Sequence, residues 1–415
     1  MKRIVIKFGG TSVMDPDRIA HVAEVIKSNL TKEEVQIAVV VSAMGHTTDK
    51  LLDLAAALSR HPDSRELDLL MSTGEMISAT LLTMALQALG VSAKSFTGAS
   101  AGITTDKHFG SAKIKFINTQ ELESCLEAGI VPVVAGFQGI SEDGEVTTLG
   151  RGGSDTSGIA LAAVLHAECC DIYTDVDGVY SADPRIVHDA HKLATISYRQ
   201  MHEMALSGAQ VLNARSVETA MLNNVPIRVR STFHPDDEGT LVCAASQSNA
   251  KLPPPGIASD SLFDAVSIKL PDLSESVINL REYRKQHYDT KVKLLSLLKK
   301  AEIQIERGSA VIDSRRIAFL VDKSDSDRLQ FILKEACIPR ANVDINKSMV
   351  RISVISHQFD SELEARAKSA LTQSNIPIEL VTKHLNRISF LVDESQKNDA
   401  IKILHQTLMA VTVAA

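Results

Sequence analysis

Residues Ile4 to Ser12 read IVIKFGGTS, and this stretch places a lysine and two glycines at the end of a short apolar strand. Glycines let backbone N–H groups approach phosphate oxygens because no Cβ atom stands in the way. Lys7 would supply a point charge to the same oxygens. The lysine precedes Gly9 and Gly10, so this is not the G-x-x-x-x-G-K-[ST] phosphate loop. Taken alone, Gly-Gly after a strand is more often a plain turn.

The segments that follow alternate between apolar runs and helical patterns. Val35 to Val41 (VQIAVVV) is almost continuously apolar, as expected of a strand that is covered on both faces. A helical pattern runs from about Pro16 to Asn29, with Asp15 as its candidate N-cap. Residues 130–135 and 171–173 form further apolar runs. Strands that alternate with helices predict an α/β sandwich with a mostly parallel sheet.

The composition excludes several classes of protein. The chain has 415 residues, 44% of them hydrophobic and 23% charged, which predicts a soluble protein of two or three domains. A net charge of -7 and an aromatic content of 4% argue against nucleic-acid binding. The chain contains no run of 18 apolar residues, so we expect no membrane span. The cysteines lack a C-x-x-C spacing, which argues against zinc or a disulfide framework and predicts a cytoplasmic location.

The second half of the chain contains an internal repeat. Residues 316–324 read RIAFLVDKS and residues 387–395 read RISFLVDES, so seven of nine positions are identical. Each copy is a strand followed by an amphipathic helix, and helical patterns precede the two copies at about 283–300 and 360–373. This predicts two β-α-β-β-α-like units of about 70 residues. Coincidence between two ordinary strand-helix units is the alternative.

A second glycine-rich stretch, GRGGSDTS, covers Gly150 to Ser157 and precedes an apolar helical pattern. A helix N-terminus carries partial positive charge and free N–H groups, and it can therefore hold an anion. Arg151 offers two parallel donors to a carboxylate or a phosphate. Asp155 is placed to orient Lys7 or to hold a metal ion. The plain alternative is a capped helix, with Ser154 or Asp155 as the cap.

A third stretch, YTDVDGVYSADPR, covers Tyr173 to Arg185 and forms an aspartate-rich loop after a strand. Nucleotides bind at the carboxyl edge of open α/β sheets, which is where such a loop would lie. The stretch lacks the downstream glutamate of a calcium-binding EF-hand loop, so we do not expect calcium.

These three stretches, in this order, closely resemble the aspartate kinases of the amino-acid kinase superfamily. Four shorter stretches agree with the resemblance, namely Val40–Gly45, Ser72–Glu75, Gly208–Leu212 and Val225–Ser231. The resemblance is strong over residues 1 to about 243 and weaker to the end, where the family has two ACT-type regulatory units.

The resemblance implies a fold and a domain order. The fold would be a three-layer α/β/α sandwich of the amino-acid kinase type with a largely parallel sheet, followed by two ferredoxin-like ACT units. The domains would be a catalytic domain at 1–245, a linker at 246–260 and ACT-like units at 261–340 and 341–415. The linker agrees with Ala244 to Gly256, which is polar and then has three consecutive prolines. The internal repeat is what two such units would give.

The resemblance also implies an activity. The family transfers the γ-phosphoryl of ATP to the side-chain carboxylate of L-aspartate, the first step of lysine, threonine and methionine (diaminopimelate) biosynthesis. A free aspartate side chain has a pKa of about 3.9, so the acceptor is already ionised and needs no general base. What the reaction needs is alignment of two anions and neutralisation of their repulsion. Mg²⁺ would be held mainly by ATP, with no protein side chain assigned to it.

The resemblance assigns roles to individual residues. Lys7 would stabilise the transferring phosphoryl, and Asp155 would hold Lys7 in place. Glu75 would accept the α-ammonium of aspartate, and Arg151 would clamp its α-carboxylate. The substrate pocket would also include Ser42, Thr47, Gly152, Gly153 and Ser154. The ATP site would include Lys7, Phe8, Gly9, Gly10, Thr174, Asp175, Tyr180, Asp183 and Arg185.

The regulatory half departs from the family pattern. Family units often have a Pro-Gly turn where an amino-acid effector binds, but Leu270–Glu275 and Ser356–Asp360 contain no glycine. This puts inhibition by lysine, threonine or diaminopimelate in doubt, because close backbone approach to an effector is harder. We still expect a homodimer through the C-terminal units, and no nucleic-acid or membrane partner.

Two other functions stay open at this point. One is a kinase for another small acceptor, such as N-acetylglutamate, glutamate or a nucleoside monophosphate. Glu75 argues against a blocked amine, which would not require an anion beside it. The other is a catalytically silent amino-acid sensor. The intact Lys7, Arg151 and Asp155 argue against that reading.

Overall fold

The chain forms two compact units in the computed structural model. The structure describes residues 2–32, 34–245, 256–269, 292–301, 303, 305, 311–312, 316–336, 338–356 and 361–409. The described part of the first unit consists of residues 2–32, 34–180, 191–206 and 210–245. The second unit contains 181–190, 207–209 and the described residues from 256 onward.

The first unit contains twelve strands, seven α-helices and one short 3-10 helix (Gly10–Val13) among its described residues. The strands are β1 (Lys2–Phe8), β2 (Val35–Val41), β3 (Ala93–Phe96), β4 (Ile103–Thr105), β5 (Ile114–Ile117), β6 (Val131–Ala135), β7 (Gln138–Ser141), β8 (Val146–Thr148), β9 (Cys169–Thr174), β10 (Thr195–Ser197), β11 (Ile227–Ser231) and β12 (Thr240–Cys243). The helices are α1 (Pro16–Lys32), α2 (Thr47–Leu58), α3 (Ser64–Ala88), α4 (Gln120–Glu127), α5 (Gly153–Val164), α6 (Tyr198–Leu206) and α7 (Ala214–Asn223).

An eight-stranded sheet forms the centre of this unit, in the order β10-β12-β11-β9-β1-β2-β6-β3. Every neighbouring pair in it is parallel except β11 with β12. A smaller sheet has the order β5-β4-β7-β8. The mostly parallel sheet predicted from the alternation of strands and helices is therefore confirmed.

Helices cover both faces of the large sheet, as a three-layer sandwich requires. Alternation along β1 sends Ile6 and Phe8 into an apolar core with residues of α1 and α3. Lys7 points to the opposite face, where α5 packs so closely that a Cβ atom on Gly158 would lie 3.2 Å from Lys7 Cβ. The start of α1 is also as predicted, because Asp15 Oδ1 accepts a hydrogen bond from the Arg18 N–H at 2.9 Å.

Helix α3 is the one helix of the described residues whose length and composition match a membrane span. It begins at an N-cap, Asp63, whose side chain accepts from two backbone N–H groups. It buries Asp68, Ser72 and Glu75, and it packs against β3, β6 and β8. Its apolar residues therefore contribute to the core of the first unit.

The second unit contains two four-stranded antiparallel sheets, in the orders β15-β16-β14-β17 and β13-β18-β20-β19. The strands are β13 (Gly256–Asp260), β14 (Phe263–Lys269), β15 (Val311–Ile312), β16 (Arg316–Asp322), β17 (Val343–Asn346), β18 (Met349–Ile355), β19 (Leu380–His384) and β20 (Arg387–Asp393). The helices are α8 (292–300), α9 (Ser326–Glu335), α10 (Ser361–Gln373) and α11 (Lys397–Met409). The internal repeat is confirmed, since its copies form β16 with α9 and β20 with α11.

The two predicted ACT-like units exchange strands, and this corrects two predicted boundaries. Residues 256–260 were placed in the linker, but they form β13 and pair with β18. The second predicted ACT-like unit, 341–415, includes residues 343–346, but these form β17 and pair with β14 in the first sheet. The linker signal came from polar and proline-rich residues, which lie outside the described part of the chain at 246–255. Ile257 is buried in the apolar core beside β18 and β20, which explains why β13 begins directly after residue 255.

Residues 181–190 belong to the second unit although sequence neighbours on both sides belong to the first. Ala182 and Val187 lie in the apolar core that β18 and β20 form with α10 and α11. Ser181 Oγ lies 3.0 Å from His405 Nε2 on α11. No local sequence pattern indicates this placement, because it depends on contacts more than 200 residues away along the chain.

A buried ion pair joins β13 to β18. Arg351 Nε and Nη2 lie 2.9 and 2.8 Å from Asp260 Oδ2, and both side chains are almost fully buried. Asp260→Asn is expected to lower the free energy of unfolding of the second unit by about 3 kcal/mol, because it removes the negative charge that contacts a buried guanidinium. Urea unfolding would measure the loss, with the exposed Asp344→Asn as the control. An unchanged midpoint for Asp260→Asn would contradict this role of the pair.

Candidate active site

The carboxyl ends of five neighbouring strands meet at one edge of the large sheet. Strands β1, β2, β6, β9 and β11 run in the same direction, so the residues that follow them come together there. These residues are Gly9, Ser42, Gly136, Asp175 and Thr232. This edge is where open α/β sheets bind their ligands.

The Gly9-Gly10 turn packs against the loop after β2. A Cβ atom on Gly10 would lie 2.9 Å from the carbonyl oxygen of Ala43, so a larger residue would push the two loops apart. The Gly45 N–H donates to the carbonyl oxygen of Gly10 at 3.0 Å. The glycine is thus required for close approach between two loops, as well as for any approach to phosphate.

Two residues of the predicted ATP site, Gly9 and Phe8, make structural contacts with Tyr173. The Gly9 N–H donates to the carbonyl oxygen of Tyr173 at 3.0 Å, so the amide offered to phosphate from this turn is that of Gly10. The ring of Phe8 is fully buried and stacks on Tyr173 with centroids 5.0 Å apart. A side-chain contact between Phe8 and ATP is therefore excluded.

Lys7 and Asp155 form an ion pair at the centre of this edge. Lys7 Nζ lies 2.5 Å from Asp155 Oδ1, and their side chains are 9% and 15% exposed. Asp155 belongs to the first turn of α5, which packs directly over β1. The structure thus brings together two residues that the sequence separates by nearly 150 positions, and it fixes the direction of the ammonium group.

Glu75 presents a buried carboxylate next to the loop after β2. Its Oε1 accepts a hydrogen bond from the Ala43 N–H at 3.0 Å, while Oε2 is buried without a hydrogen-bond partner among the described residues. Burial raises the pKa of Glu75 to about 7, and the Ala43 N–H and the charge of Lys7 act in the opposite direction. Gly74 makes this contact possible, since a Cβ atom there would lie 2.8 Å from Ala43 Cβ. A buried carboxylate oxygen of this kind can accept a hydrogen bond from a cationic group.

The second glycine-rich stretch forms a left-handed loop before α5. Gly150 and Gly152 have φ angles of 76° and 74°, which L side chains rarely adopt. Gly152 is the N-cap residue and the helix has no side-chain cap bond, so the plain alternative of a cap at Ser154 or Asp155 is wrong. The first turn of α5 is left without a side-chain cap. Arg151 lies between the two glycines with an exposed side chain, and it makes no ion pair with the described residues.

Ser42 and Thr47 lie at the two ends of the loop that also supplies Ala43. The Ser42 N–H donates to the carbonyl oxygen of Phe8 at 3.1 Å, which fixes the loop to the end of β1. Thr47 Oγ1 donates to the carbonyl oxygen of Met44 at 2.6 Å, at the start of α2. Both side chains are half-buried at the same edge as Lys7 and Glu75.

The aspartate-rich loop separates into two parts. Thr174 and Asp175 follow β9 directly, and Thr174 Oγ1 donates to Asp175 Oδ1 at 3.1 Å. Asp183 and Arg185 belong to the second unit, where Arg185 Nη2 lies 2.7 Å from Asp183 Oδ2. Arg185 holds the pKa of Asp183 below its ordinary value.

A cluster around Tyr180 was missed at the sequence level. The Tyr180 hydroxyl donates to Asp177, and Lys192 Nζ lies 3.4 Å from Asp177 Oδ2 and 2.6 Å from Asp237 Oδ2. The hydrogen bond to Asp237 raises the pKa of Lys192 and lowers that of Asp237. Lys192 and Asp237 stand in loops with no motif of their own, so only the fold reveals them.

Comparison with known proteins agrees with this geometry. The model of the amino acid kinase family matches residues 2–231, and the ACT domain model matches residues 359–408. The chain is 39% identical to the aspartokinase of Geobacillus stearothermophilus, over 97% of this chain and 96% of that protein. It is 40% identical to the aspartokinase of Mycobacterium tuberculosis, over 98% and 96% of the two chains.

The fold is also that of a solved aspartokinase. Escherichia coli aspartokinase III in complex with aspartate and ADP matches with a TM-score of 0.77 at 24% sequence identity. The match covers 98% of this chain and 100% of that one. The matched family models, together with the relatives of similar length, agree with the sheet edge that carries Lys7, Asp155 and Glu75. The chain therefore belongs to the amino acid kinase family and, within it, to the aspartokinases.

Proposed function

We propose that this chain transfers the γ-phosphoryl of ATP to the side-chain carboxylate of L-aspartate, which gives 4-phospho-L-aspartate and ADP. The observation that supports it most directly is the buried, half-partnered carboxylate of Glu75 at the same sheet edge as the Lys7–Asp155 pair. An amino-acid acceptor brings the ammonium group that Glu75 lacks. The relatives that this chain matches over almost their whole length are aspartokinases.

Two contacts would orient the acceptor. Glu75 Oε2 would bind the α-ammonium, and an ammonium ion at this position keeps Glu75 ionised although burial opposes its charge. Arg151 would bind the α-carboxylate with its planar pair of donors. With both α-groups held, the side-chain carboxylate is the group left to meet the phosphoryl donor.

The reaction would then proceed without a general base. The acceptor carboxylate is ionised at neutral pH, so the protein has to align two anions and neutralise the charge between them. Lys7 Nζ would contact the transferring phosphoryl, and Asp155 would hold its direction by the 2.5 Å ion pair. The Gly10 N–H and the uncapped N-terminus of α5 would add fixed dipoles that need no rearrangement during the reaction.

The nucleotide would lie over the loop after β9. Thr174 and Asp175 at the strand end and Tyr180 further along would line the site. Among the described residues no three His, Cys, Asp or Glu side chains come together as a metal site. The residues present fit a Mg²⁺ ion held mainly by phosphate oxygens and water. When bound, this ion would neutralise charge on the β- and γ-phosphates.

The C-terminal half would regulate and assemble the enzyme. An Escherichia coli aspartokinase III structure of similar fold was solved in complex with lysine and aspartate. We include lysine, threonine or diaminopimelate as the effector and a homodimer through the ACT-like units in the proposal. The glycine-free stretch at 270–275 lies outside the described residues. We also propose a cytoplasmic location and a place at the first step of lysine, threonine and methionine biosynthesis.

The test is trapping of the acyl phosphate with hydroxylamine in the presence of ATP and Mg²⁺. L-aspartate is expected to give the hydroxamate, whereas L-glutamate and N-acetyl-L-glutamate are expected to give none. Omission of ATP or Mg²⁺ serves as the control, and lysine, threonine and diaminopimelate are then added to the active reaction. Product from N-acetyl-L-glutamate would move the assignment to another acceptor. No product from any acceptor would favour the silent sensor.

A further inference from the structure

Two backbone segments lie side by side directly before the loop that carries Arg151. The Ala112 N–H donates to the carbonyl oxygen of Thr148 at 2.9 Å. A Cβ atom on Gly150 would lie 2.8 Å from the carbonyl oxygen of Gly110, so the two segments are again in contact two residues further along. The position of Arg151 therefore depends on what holds residues 110–112 and 148–150.

Asp68 of α3 holds both segments from one side. It is fully buried, and its two oxygens accept from the Gly110 N–H at 2.9 and 3.0 Å. They also accept from the backbone N–H and the hydroxyl of Thr148, each at 2.7 Å. A carboxylate accepts on every side, whereas an amide would turn its own N–H groups toward these donors.

Arg215 of α7 holds the same two segments from the other side. Its Nη1 donates to the carbonyl oxygen of Leu149 and its Nη2 to that of Ala112, each at 2.7 Å. Asn213, the N-cap of α7, packs against the loop itself, since a Cβ atom on Gly152 would lie 2.4 Å from Asn213 Cβ. The main chain from Thr148 to Gly152 is therefore fixed on both sides of Arg151.

We propose that Asp68 and Arg215 are positioning residues that set the Gly150–Gly152 loop so that Arg151 can clamp the α-carboxylate of aspartate. The inference rests on the proposed role of Arg151. Asp68 is buried and the guanidinium of Arg215 is bound to two carbonyl groups, so neither is placed to touch the substrate. The exposed Arg151 makes no ion pair with the described residues. The position of its guanidinium is therefore set by the backbone of the Gly150–Gly152 loop.

The decisive experiment is a cycle of variants measured on the full-length enzyme with ATP and L-aspartate. Asp68→Asn and Arg215→Gln are each expected to lower kcat/KM for aspartate by about 10- to 100-fold, since small displacements of a positioning group have effects of this size. The loss should fall on KM for aspartate. We expect kcat at saturating aspartate and KM for ATP to stay close to those of the parent enzyme. The exposed Asp53→Asn is the matched control.

The same changes made in an Arg151→Ala background separate positioning from general damage. If Asp68 and Arg215 act through Arg151, either change is expected to add no further loss there. Losses that multiply in full would overturn the inference and leave the aspartokinase function intact. An Arg151→Ala enzyme with unchanged kcat/KM for aspartate would instead overturn the role of Arg151. Arg215 is half-buried, so its variant keeps the test available if Asp68→Asn does not fold.

Discussion

Replacing Lys7 by methionine is expected to lower kcat about 1000-fold, because it removes the cation that is directed at the transferring phosphoryl. Methionine keeps most of the buried aliphatic volume, so the sheet core should be little changed. KM for aspartate is expected to change much less, since Glu75 and Arg151 are untouched. Initial rates of ADP formation at saturating substrates would measure the effect, with the exposed Lys50→Met on α2 as the control.

The partner of Lys7 provides a second control. Without Lys7, Asp155 is a mostly buried carboxylate that has lost its counter-charge, and this alone can destabilise the protein. The double variant Lys7→Met, Asp155→Asn removes that unpaired charge. It is expected to recover thermal stability without recovering turnover. Turnover near the parent level in either variant would remove Lys7 from the mechanism.

Replacing Glu75 by glutamine is expected to lower kcat/KM for L-aspartate by about 100- to 1000-fold, as truncation of one partner in a buried charge pair does. Glutamine keeps the acceptor for the Ala43 N–H and loses only the charge at the atom that has no partner. In the parent enzyme kcat/KM for aspartate should fall as the pH drops below about 7, because protonated Glu75 no longer attracts the ammonium. This pH dependence should be absent from the variant.

Glu75→Gln is expected to raise the stability of the ligand-free protein, although it lowers the activity. The pKa of Glu75 is raised from 4.5 to about 7 in the fold, so the ligand-free protein loses stability as the pH rises from about 4.5 to about 7, and the loss stays constant above that. At pH 8 the cost is about 3 kcal/mol, and glutamine does not bear it. Glu75→Gln is therefore expected to melt a few degrees above the parent at pH 8, with a smaller difference at pH 5.5. A variant that is less stable than the parent at both pH values would contradict this, with the exposed Glu127→Gln as the control.

Features that depend on local pattern were predictable from the sequence. The apolar run Val35–Val41 is strand β2 with the same bounds, and the Asp15-Pro16 signature begins α1. The glycines of both loops were identified because they lack a Cβ atom. In the structure Gly150 and Gly152 have φ angles of 76° and 74°, and a Cβ atom on Gly10 would lie 2.9 Å from a carbonyl oxygen. These signals act over a few residues, which is the range that a single sequence displays.

Features that depend on distant packing were not predictable. The Gly9 N–H is used by Tyr173 because β9 pairs with β1, and nothing near Gly9 indicates that strand. The sequence gives one weak indication of the role of Asp68, because Asp68 precedes Glu75 by seven residues and so lies on the same face of α3. The sequence gives no indication of the role of Arg215, because its partners are carbonyl groups about 65 and 100 residues away.

The placement of residues 181–190 in the second unit has a consequence for how the gene can be divided. A fragment that ends near residue 245 would keep Ala182 and Val187 but lose the core in which they are buried. A fragment that begins near residue 256 would lack those side chains and the hydroxyl that meets His405. Chimeras between relatives would therefore have to exchange three pieces together, because the second unit is not contiguous in the sequence.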